Sequence, residues 1–385
     1  MFYLLGERLL LARRIQKISL RICVTGTRGK SSVTRLIAAS LREAGFKVLA
    51  KTTGTVPVLV LPNGEEREIK RKGNPSLLEG KKILKIGTQQ RVNALVAELM
   101  SIQPEYSFAE SVQMLRPNIL VITNVRLDHL AQMGSTRMEI ARSLSASIPP
   151  CCTVIVPEEE NFSFFKEITE GLNSNLVLVA KDSYREFLEA EKKALSYEFE
   201  ENLRLALEVS DFLGIKKEFA LKGIRRAQPD FGCLKIWRAE GGVPPRKFHL
   251  VSAFAANDPF STERAISKSE ERISFKRKRV IGLLNLRNDR GDRTLQWEEA
   301  LKKGHFPFFH RLIFIGGHAQ ALKRKLNSMK KWEISLMKVE SPQEIMAGLT
   351  AMEQGEMVVV GMGNMAGAGH KLLKYWEKIG KPYDF

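Results

Sequence analysis

Thr25-Gly-Thr-Arg-Gly-Lys-Ser-Ser32 directly follows the apolar run Leu20-Arg-Ile-Cys-Val24. An apolar, β-branched run that breaks into a glycine-rich turn and then a helix-forming segment is the sequence form of a phosphate-binding loop. Gly26 and Gly29 let the backbone point N–H groups inward without a Cβ clash. The helix that starts near Ser31 adds unpaired N–H groups and the positive end of its dipole. Gly26, Thr27, Arg28, Gly29, Lys30, Ser31 and Ser32 are therefore expected to line ATP. Lys30 would reach the β- and γ-phosphates, and the Ser31 hydroxyl is placed for Mg2+. The general pattern G-x-x-x-x-G-K-[ST] asks for Gly where this chain has Val24, a departure from it.

Outward from the loop, strand-like apolar runs alternate with helical patterns almost from end to end, which predicts an α/β fold with parallel sheets. Strands are expected at 47–51, 93–98, 118–124, 153–156 and 176–180, with a hairpin over 57–72 that turns at Asn63-Gly64. Helices are expected over 31–44, 76–90, 105–115, up to 148, 162–172, 199–214 and 218–227. Gln228-Pro-Asp-Phe-Gly232 breaks the pattern as a linker, and strands resume at 248–254, 280–286, 312–316 and 357–361. The expected division is an N-terminal amphipathic helix (1–18), a P-loop ATPase-type parallel-sheet domain (19–228) and a smaller Rossmann-like α/β domain (229–385). Leu4, Leu5, Leu9, Leu10 and Ile15 would form the apolar face of the first helix, opposite a basic one.

The formal charge of +18 favours an anionic partner. Nucleic acid is the first class that comes to mind, but no reading motif is present and aromatics make up only 8%, so none is expected. A nucleotide or polycarboxylate is served by the same field. Four cysteines without CxxC spacing predict a reducing, intracellular compartment. The first twenty residues are too charged to span a bilayer.

In α/β sheets, ligands bind beyond the carboxyl ends of strands. The second strand ends in Lys51-Thr-Thr-Gly-Thr55, whose Thr52, Thr53 and Thr55 hydroxyls suit phosphate oxygens, metal-bound water or substrate. The third ends at Glu98, a lone carboxylate after Ala-Leu-Val-Ala, and the fourth runs into Thr123-Asn-Val-Arg-Leu-Asp-His129. Mg2+ takes oxygen ligands and few protein groups. Ser31 and Glu98 would supply two, with His129 near a second ion or the transferred phosphate. The Gly361-Met-Gly-Asn-Met-Ala-Gly367 stretch is a poor dinucleotide signature, because its third glycine is one place late.

The loop followed by Thr-Asn-x-x-x-Asp-His resembles the Mur ligase superfamily, whose members phosphorylate a carboxylate with ATP and let an amine displace the phosphate. Within it, Thr27-Arg-Gly-Lys-Ser-Ser-Val-Thr-Arg-Leu36, Lys51-Thr-Thr-Gly-Thr55, Ile69-Lys-Arg-Lys72, Phe254-Ala-Ala-Asn-Asp258 and Asp289-Arg-Gly-Asp-Arg-Thr294 are similar to the PgsB/CapB family, the ligase subunits of poly-γ-glutamate synthases. The resemblance implies Lys30 on the phosphates, Ser31 and Glu98 on Mg2+, and His129 on a second Mg2+. It implies Asn202 near the adenine, and Asn257 and Asp258 near the ribose and metal. The cluster of Arg287, Arg290 and Arg293 is read as a clamp for glutamate carboxylates or phosphate; salt bridges to Asp289 and Asp292 are the alternative. This chain departs from the superfamily pattern in three places. Residues 133–147 contain no lysine for carbamylation, Ala131 stands where Asp is usual, and Asp230-Phe-Gly-Cys233 replaces Pro-Gly-Arg.

The function expected is an ATP- and Mg2+-dependent ligase that adds glutamate to poly-γ-glutamate through an acyl phosphate. Such an enzyme would work at the inner face of the membrane with membrane subunits of a synthase, and self-association is left open. The alternatives are a folylpolyglutamate- or cyanophycin-like ligase and a non-catalytic nucleotide-binding scaffold. The loop begins at residue 25, too early for a preceding UDP-sugar domain, so a UDP-linked substrate is not expected.

Overall fold

Runs of valine, isoleucine and leucine buried on both faces are what parallel strands require, and the computed structural model has them in two sheets. It describes residues 2–383 except 55, 72, 74, 161, 192–194, 196–197, 242–244, 328, 330, 339–340 and 353. Thr55 and Lys72, both singled out above, thus lie outside the described residues. The chain divides into two units, Met1–Phe231 and Gly232–Phe385.

The first unit carries β1 (Leu20–Thr25), β2 (Val48–Thr52), β3 (Val58–Val60), β4 (Glu66–Glu68), β5 (Ala94–Glu98), β6 (Ile119–Ile122), β7 (Thr153–Pro157) and β8 (Asn175–Val179). Their order is β4-β3-β2-β5-β1-β6-β7-β8. The β2–β3 and β3–β4 pairings are antiparallel, the second closing a hairpin about the Asn63-Gly64 turn, and the other described pairings of this sheet are parallel. On one face Ile22, Val24, Val96 and Val121 meet Val33, Leu36, Ile37 and Leu41 of the helix Lys30–Glu43. On the other, Cys23, Leu95, Ala97 and Leu120 meet Ile83, Leu84 and Ile140. Each of the fully covered valine, leucine and isoleucine side chains among these contributes roughly 1.5–3 kcal/mol of transfer free energy. The four central strands β2, β5, β1 and β6 bring the loop after residue 25, the turn at 53–54, Glu98 and the segment 123–129 to one edge.

The second unit has β9 (Lys235–Gly241), β10 (Arg246–Ser252), β11 (Arg279–Leu286), β12 (Arg311–Gly316), β13 (Glu333–Leu336), β14 (Met357–Gly363) and β15 (Lys381–Pro382), in the order β13-β12-β11-β14-β10-β9-β15. The strands from β10 to β14 are parallel, and β9 and β15 add an antiparallel edge.

Local departures from the sequence reading have physical causes. The N-terminal helix, Phe2–Gln16, turns Leu11 and Ile15 inward, with Ile18 after it, and leaves Leu9 and Leu10 exposed. Leu11 and Ile15 are i, i+4 neighbours on one face of the helix, and Ile18 follows after the helix ends at Gln16. The expected helix 105–115 is α-helical at Pro104–Phe108 and a π-helix at Ala109–Leu115. There the buried Glu110 carboxylate accepts the N–H groups of Met100 and Ser101, which secures the chain just past Glu98. The helical run expected up to 148 breaks at Gly134, whose φ of 111° is closed to most residues.

Candidate active site

β1 hands the chain to the glycine loop at Thr25, and both glycines are used. Gly26 has φ 121° and Gly29 φ 80°, and the helix Lys30–Glu43 begins directly after Gly29. A Cβ on Gly26 would stand 2.2 Å from Thr123 Oγ1, and one on Gly29 2.4 Å from Asn202 Oδ1. The adjacent strand tail holds the loop in shape. Thr27 N donates to Asn124 O (3.1 Å), and Thr27 Oγ1 and Arg28 N both donate to Asn124 Oδ1 (2.7 and 3.0 Å). Arg28 O accepts from Thr123 Oγ1 (2.6 Å) and Asn124 Nδ2 (3.0 Å). Thr123 and Asn124 are both buried. A loop fixed this way before phosphate arrives loses little ordering entropy on binding.

Lys30 is half-buried, and its Nζ folds back to donate to Gly26 O at 2.8 Å. Desolvation pulls its pKa below the ordinary lysine value, and the Glu98 and Asp128 carboxylates oppose that shift. Asp128 in turn pairs with Arg28 at 3.3 Å. Two cations and Asp128 therefore surround the loop where anionic phosphate would lie.

Ser31 Oγ donates to Glu98 Oε2 at 2.7 Å, and Thr53 N donates to the same oxygen at 2.6 Å. Glu98 is only 3% exposed. Beside it Thr52 Oγ1 is buried with no hydrogen-bond partner. Mg2+ is usually held by one or two protein oxygens and several waters, and the Ser31–Glu98 pair fits that demand. His129 adopts φ 51° and takes its orientation from Asp128, whose Oδ1 accepts its backbone N–H at 3.0 Å and whose Oδ2 lies 3.7 Å from its Nε2. Among the described residues no three His, Cys, Asp or Glu side chains converge as a metal-ligand set.

Asn202 donates through Nδ2 to Glu198 Oε1 at 2.6 Å, while its Oδ1 is buried without a hydrogen-bond partner. That acceptor faces Gly29. An acceptor orphaned against the loop fits an amino group of a bound base.

The remaining candidates belong to the second unit. Asp258 Oδ1 accepts Ser261 N at 2.8 Å and so caps the helix Pro259–Glu270, while Asn257 O accepts from Trp297 Nε1 at 3.3 Å. Arg287 forks onto Asp289 (2.8 Å through Nε) and Arg290 onto Asp292 (3.2 Å). Arg293 is buried and donates to Asn364 Oδ1 at 3.0 Å, tying the helix Gly291–Lys302 to the end of β14. Sequence reading did not single out Thr123, Asn124, Asp128 and Glu198 as site residues. The segment containing the first three was visible, but what those side chains hold depends on contacts about a hundred residues apart.

Residues 24–219 match the Mur ligase middle domain, and residues 241–379 match the poly-gamma-glutamate synthase CapB C-terminal domain. The chain is 34% identical over 382 residues to the capsule biosynthesis protein CapB of Bacillus anthracis, covering 96% of this chain and 79% of that protein. It is likewise 34% identical over 373 residues to the PGA synthase CapB of Bacillus subtilis (strain 168), covering 95% and 92%. Among solved structures, the bifunctional folylpolyglutamate synthase/dihydrofolate synthase of Yersinia pestis, complexed with AMPPNP and a Mn ion, shares the fold. The TM-score is 0.69 at 13% identity, with 96% of this chain and 93% of that chain covered.

Proposed function

The chain belongs to the CapB family of Mur-type, ATP-dependent amide ligases, and from that premise we propose that it extends poly-γ-glutamate by one glutamate per ATP. The observation that carries the reading is the Lys30–Ser31–Glu98 constellation at the carboxyl edge of a parallel sheet, intact in all three members. A carboxylate oxygen of the growing chain attacks the γ-phosphorus of ATP, the bond to the β-phosphate oxygen breaks and ADP leaves. The amine of glutamate then attacks the acyl carbon, phosphate departs, and the amine proton is lost to solvent or a nearby base.

In both steps the protein mainly positions groups and offsets negative charge. Lys30 and the N–H groups at the start of the helix Lys30–Glu43 face the β- and γ-phosphates. Mg2+ held by Ser31 and Glu98 would neutralise triphosphate charge as it moves to the leaving group. Asn202 Oδ1 receives the adenine amino group. His129 stands beside Asp128 as a polar contact for transferring phosphate or a second ion, and Asn257 and Asp258, just before the helix Pro259–Glu270, are the second unit's candidates for ribose and metal. Thr52, Thr53, Arg287 and Arg290 are the candidates for glutamate and its polymer, whereas Arg293 is committed to Asn364.

The test is ADP release by the purified chain with ATP, glutamate and oligo-γ-glutamate, with mass spectrometry of the product. Turnover that needs both glutamate and acceptor, with the oligomer one residue longer, is expected. Nucleotide binding without product from any acceptor would favour a scaffold. Extension of a folate or cyanophycin acceptor instead would redirect the substrate and keep the chemistry.

Among the described residues no helix is long and apolar enough to cross a membrane. We place the protein at the inner membrane face through its N-terminal helix, where the exposed Leu9 and Leu10 lie among Arg8, Arg13 and Lys17. Co-sedimentation with vesicles rich in anionic lipid is expected, and its loss in L9E/L10E checks the assignment. Equal sedimentation of the double variant would refute it.

A further inference from the structure

Arg35 follows Ser31 by four residues on the helix Lys30–Glu43, so the two side chains share a helix face. The guanidinium is buried, 6% exposed, and forks onto Glu66 of the β3–β4 hairpin, with Nη1 also 3.5 Å from Gln228 O. Its Nε makes no hydrogen bond and lies 3.7 Å from Asp230 Oδ1. Asp230 is 9% exposed and sits where the resemblance to Mur ligases loses its Pro-Gly-Arg segment.

Asp230 lies across Gly54 from the Ser31–Glu98 pair. The point that a Cβ would occupy on Gly54 lies 2.5 Å from Ser31 Oγ and 3.5 Å from Asp230 Oδ1. Gly54 itself is exposed, so no side chain fills this cradle between a hydroxyl and a carboxylate. The same hydroxyl is 2.7 Å from Glu98 Oε2. Mg2+ binds oxygens at about 2.1 Å and keeps several waters, and a metal-bound water reaches an acceptor about 2.8 Å further on. An ion on Ser31 and Glu98 would therefore present a water to Asp230.

We infer that Asp230 is the outer-sphere anchor of the Mg2+ ion at Ser31 and Glu98, and that Arg35 is its positioning residue. The inference rests on the ATP site proposed above and names how that site retains its ion. Arg35 fixes the carboxylate from one side, with its own fork pinned by Glu66, so that one lone pair of Asp230 stays aimed at the ion's hydration shell. Alanine at position 54 would fill the same space, which gives the glycine a role in admitting the ion.

The experiment is a Mn2+ titration followed by electron paramagnetic resonance, on wild type and Asp230→Asn, with a non-hydrolysable ATP analogue. Nucleotide affinity in EDTA and thermal melting are measured in parallel. Loss of a partner of this kind weakens metal binding by about tenfold. The expected result is that loss of Mn2+ affinity in Asp230→Asn, with melting and metal-free nucleotide affinity unchanged. Unchanged Mn2+ affinity overturns the inference, and so does a parallel fall in metal-free nucleotide affinity. If Asp230→Asn does not fold, Arg35→Lys decides the matter by the same criteria, because it keeps the charge and releases the carboxylate. Wild type that binds Mn2+ and nucleotide yet releases no glutamate-dependent ADP would sink the ligase reading and leave this assignment standing.

Discussion

Lys30→Met is expected to lower glutamate-dependent ADP release by about 10^2 to 10^3-fold, or about 3–4 kcal/mol of transition-state stabilisation. The free protein should keep its melting temperature. In the free site the ammonium donates to Gly26 O, a contact that water can replace at a half-buried position. Desolvation already pulls the Lys30 pKa down and the Glu98 and Asp128 carboxylates offset part of that cost, a cost that an anionic ligand would offset further. Removing it relieves that cost in the free protein and exposes it as lost charge neutralisation during phosphoryl transfer. The defect should persist at saturating Mg2+, because a cation at Ser31 and Glu98 does not occupy the position of Nζ. Steady-state ADP release at several Mg2+ concentrations checks this. Activity within about threefold of wild type would remove Lys30 from the machinery, since one direct phosphate contact is worth more than that.

What could be read in the chain was what its local pattern encodes. The break from Val24 into Gly26 and Gly29 marks a strand, a tight turn and a helix start within a dozen residues. Glu98 stood out because a carboxylate ending Ala-Leu-Val-Ala must lie at a strand end. Neither inference needed a distant contact. The β9 strand escaped because Lys235, Arg238 and Glu240 interrupt its apolar residues, as suits a strand near a sheet edge. Glu333–Leu336 is too short to show a period. Asn124 and Asp230 were harder still. Each is an ordinary polar residue in a loop, and its task comes from a partner in another segment: Thr27 and Arg28 for one, Arg35 for the other. The arginines near 290 show the converse. Their spacing is compatible with a clamp, but Arg293 turns inward to Asn364 while Arg287 and Arg290 hold the neighbouring aspartates. Spacing alone does not distinguish these uses.

Glu98→Gln is expected to cost as much as losing Lys30 at low Mg2+, and the manner of the loss separates the two. Glu98 Oε2 accepts both the Ser31 hydroxyl and the Thr53 N–H, so one carboxylate fixes the two groups that flank the proposed ion. Glutamine has nearly the same shape and can keep one acceptor for those donors, which should preserve the local fold. What it lacks is the negative charge that draws Mg2+ out of water, and hard divalent cations depend on that charge. Half-saturation by Mg2+ should therefore rise at least tenfold, the scale set by altered metal surroundings. Turnover at about millimolar Mg2+ should fall about 10^2-fold and recover in part as Mg2+ increases. Recovery with added Mg2+ in Glu98→Gln, and its absence in Lys30→Met, would assign metal retention to the carboxylate and phosphate neutralisation to the ammonium. An Mg2+ curve unchanged in Glu98→Gln would mean that the carboxylate only braces Ser31 and Thr53. The ion would then have to be sought elsewhere on the edge formed by β2, β5, β1 and β6.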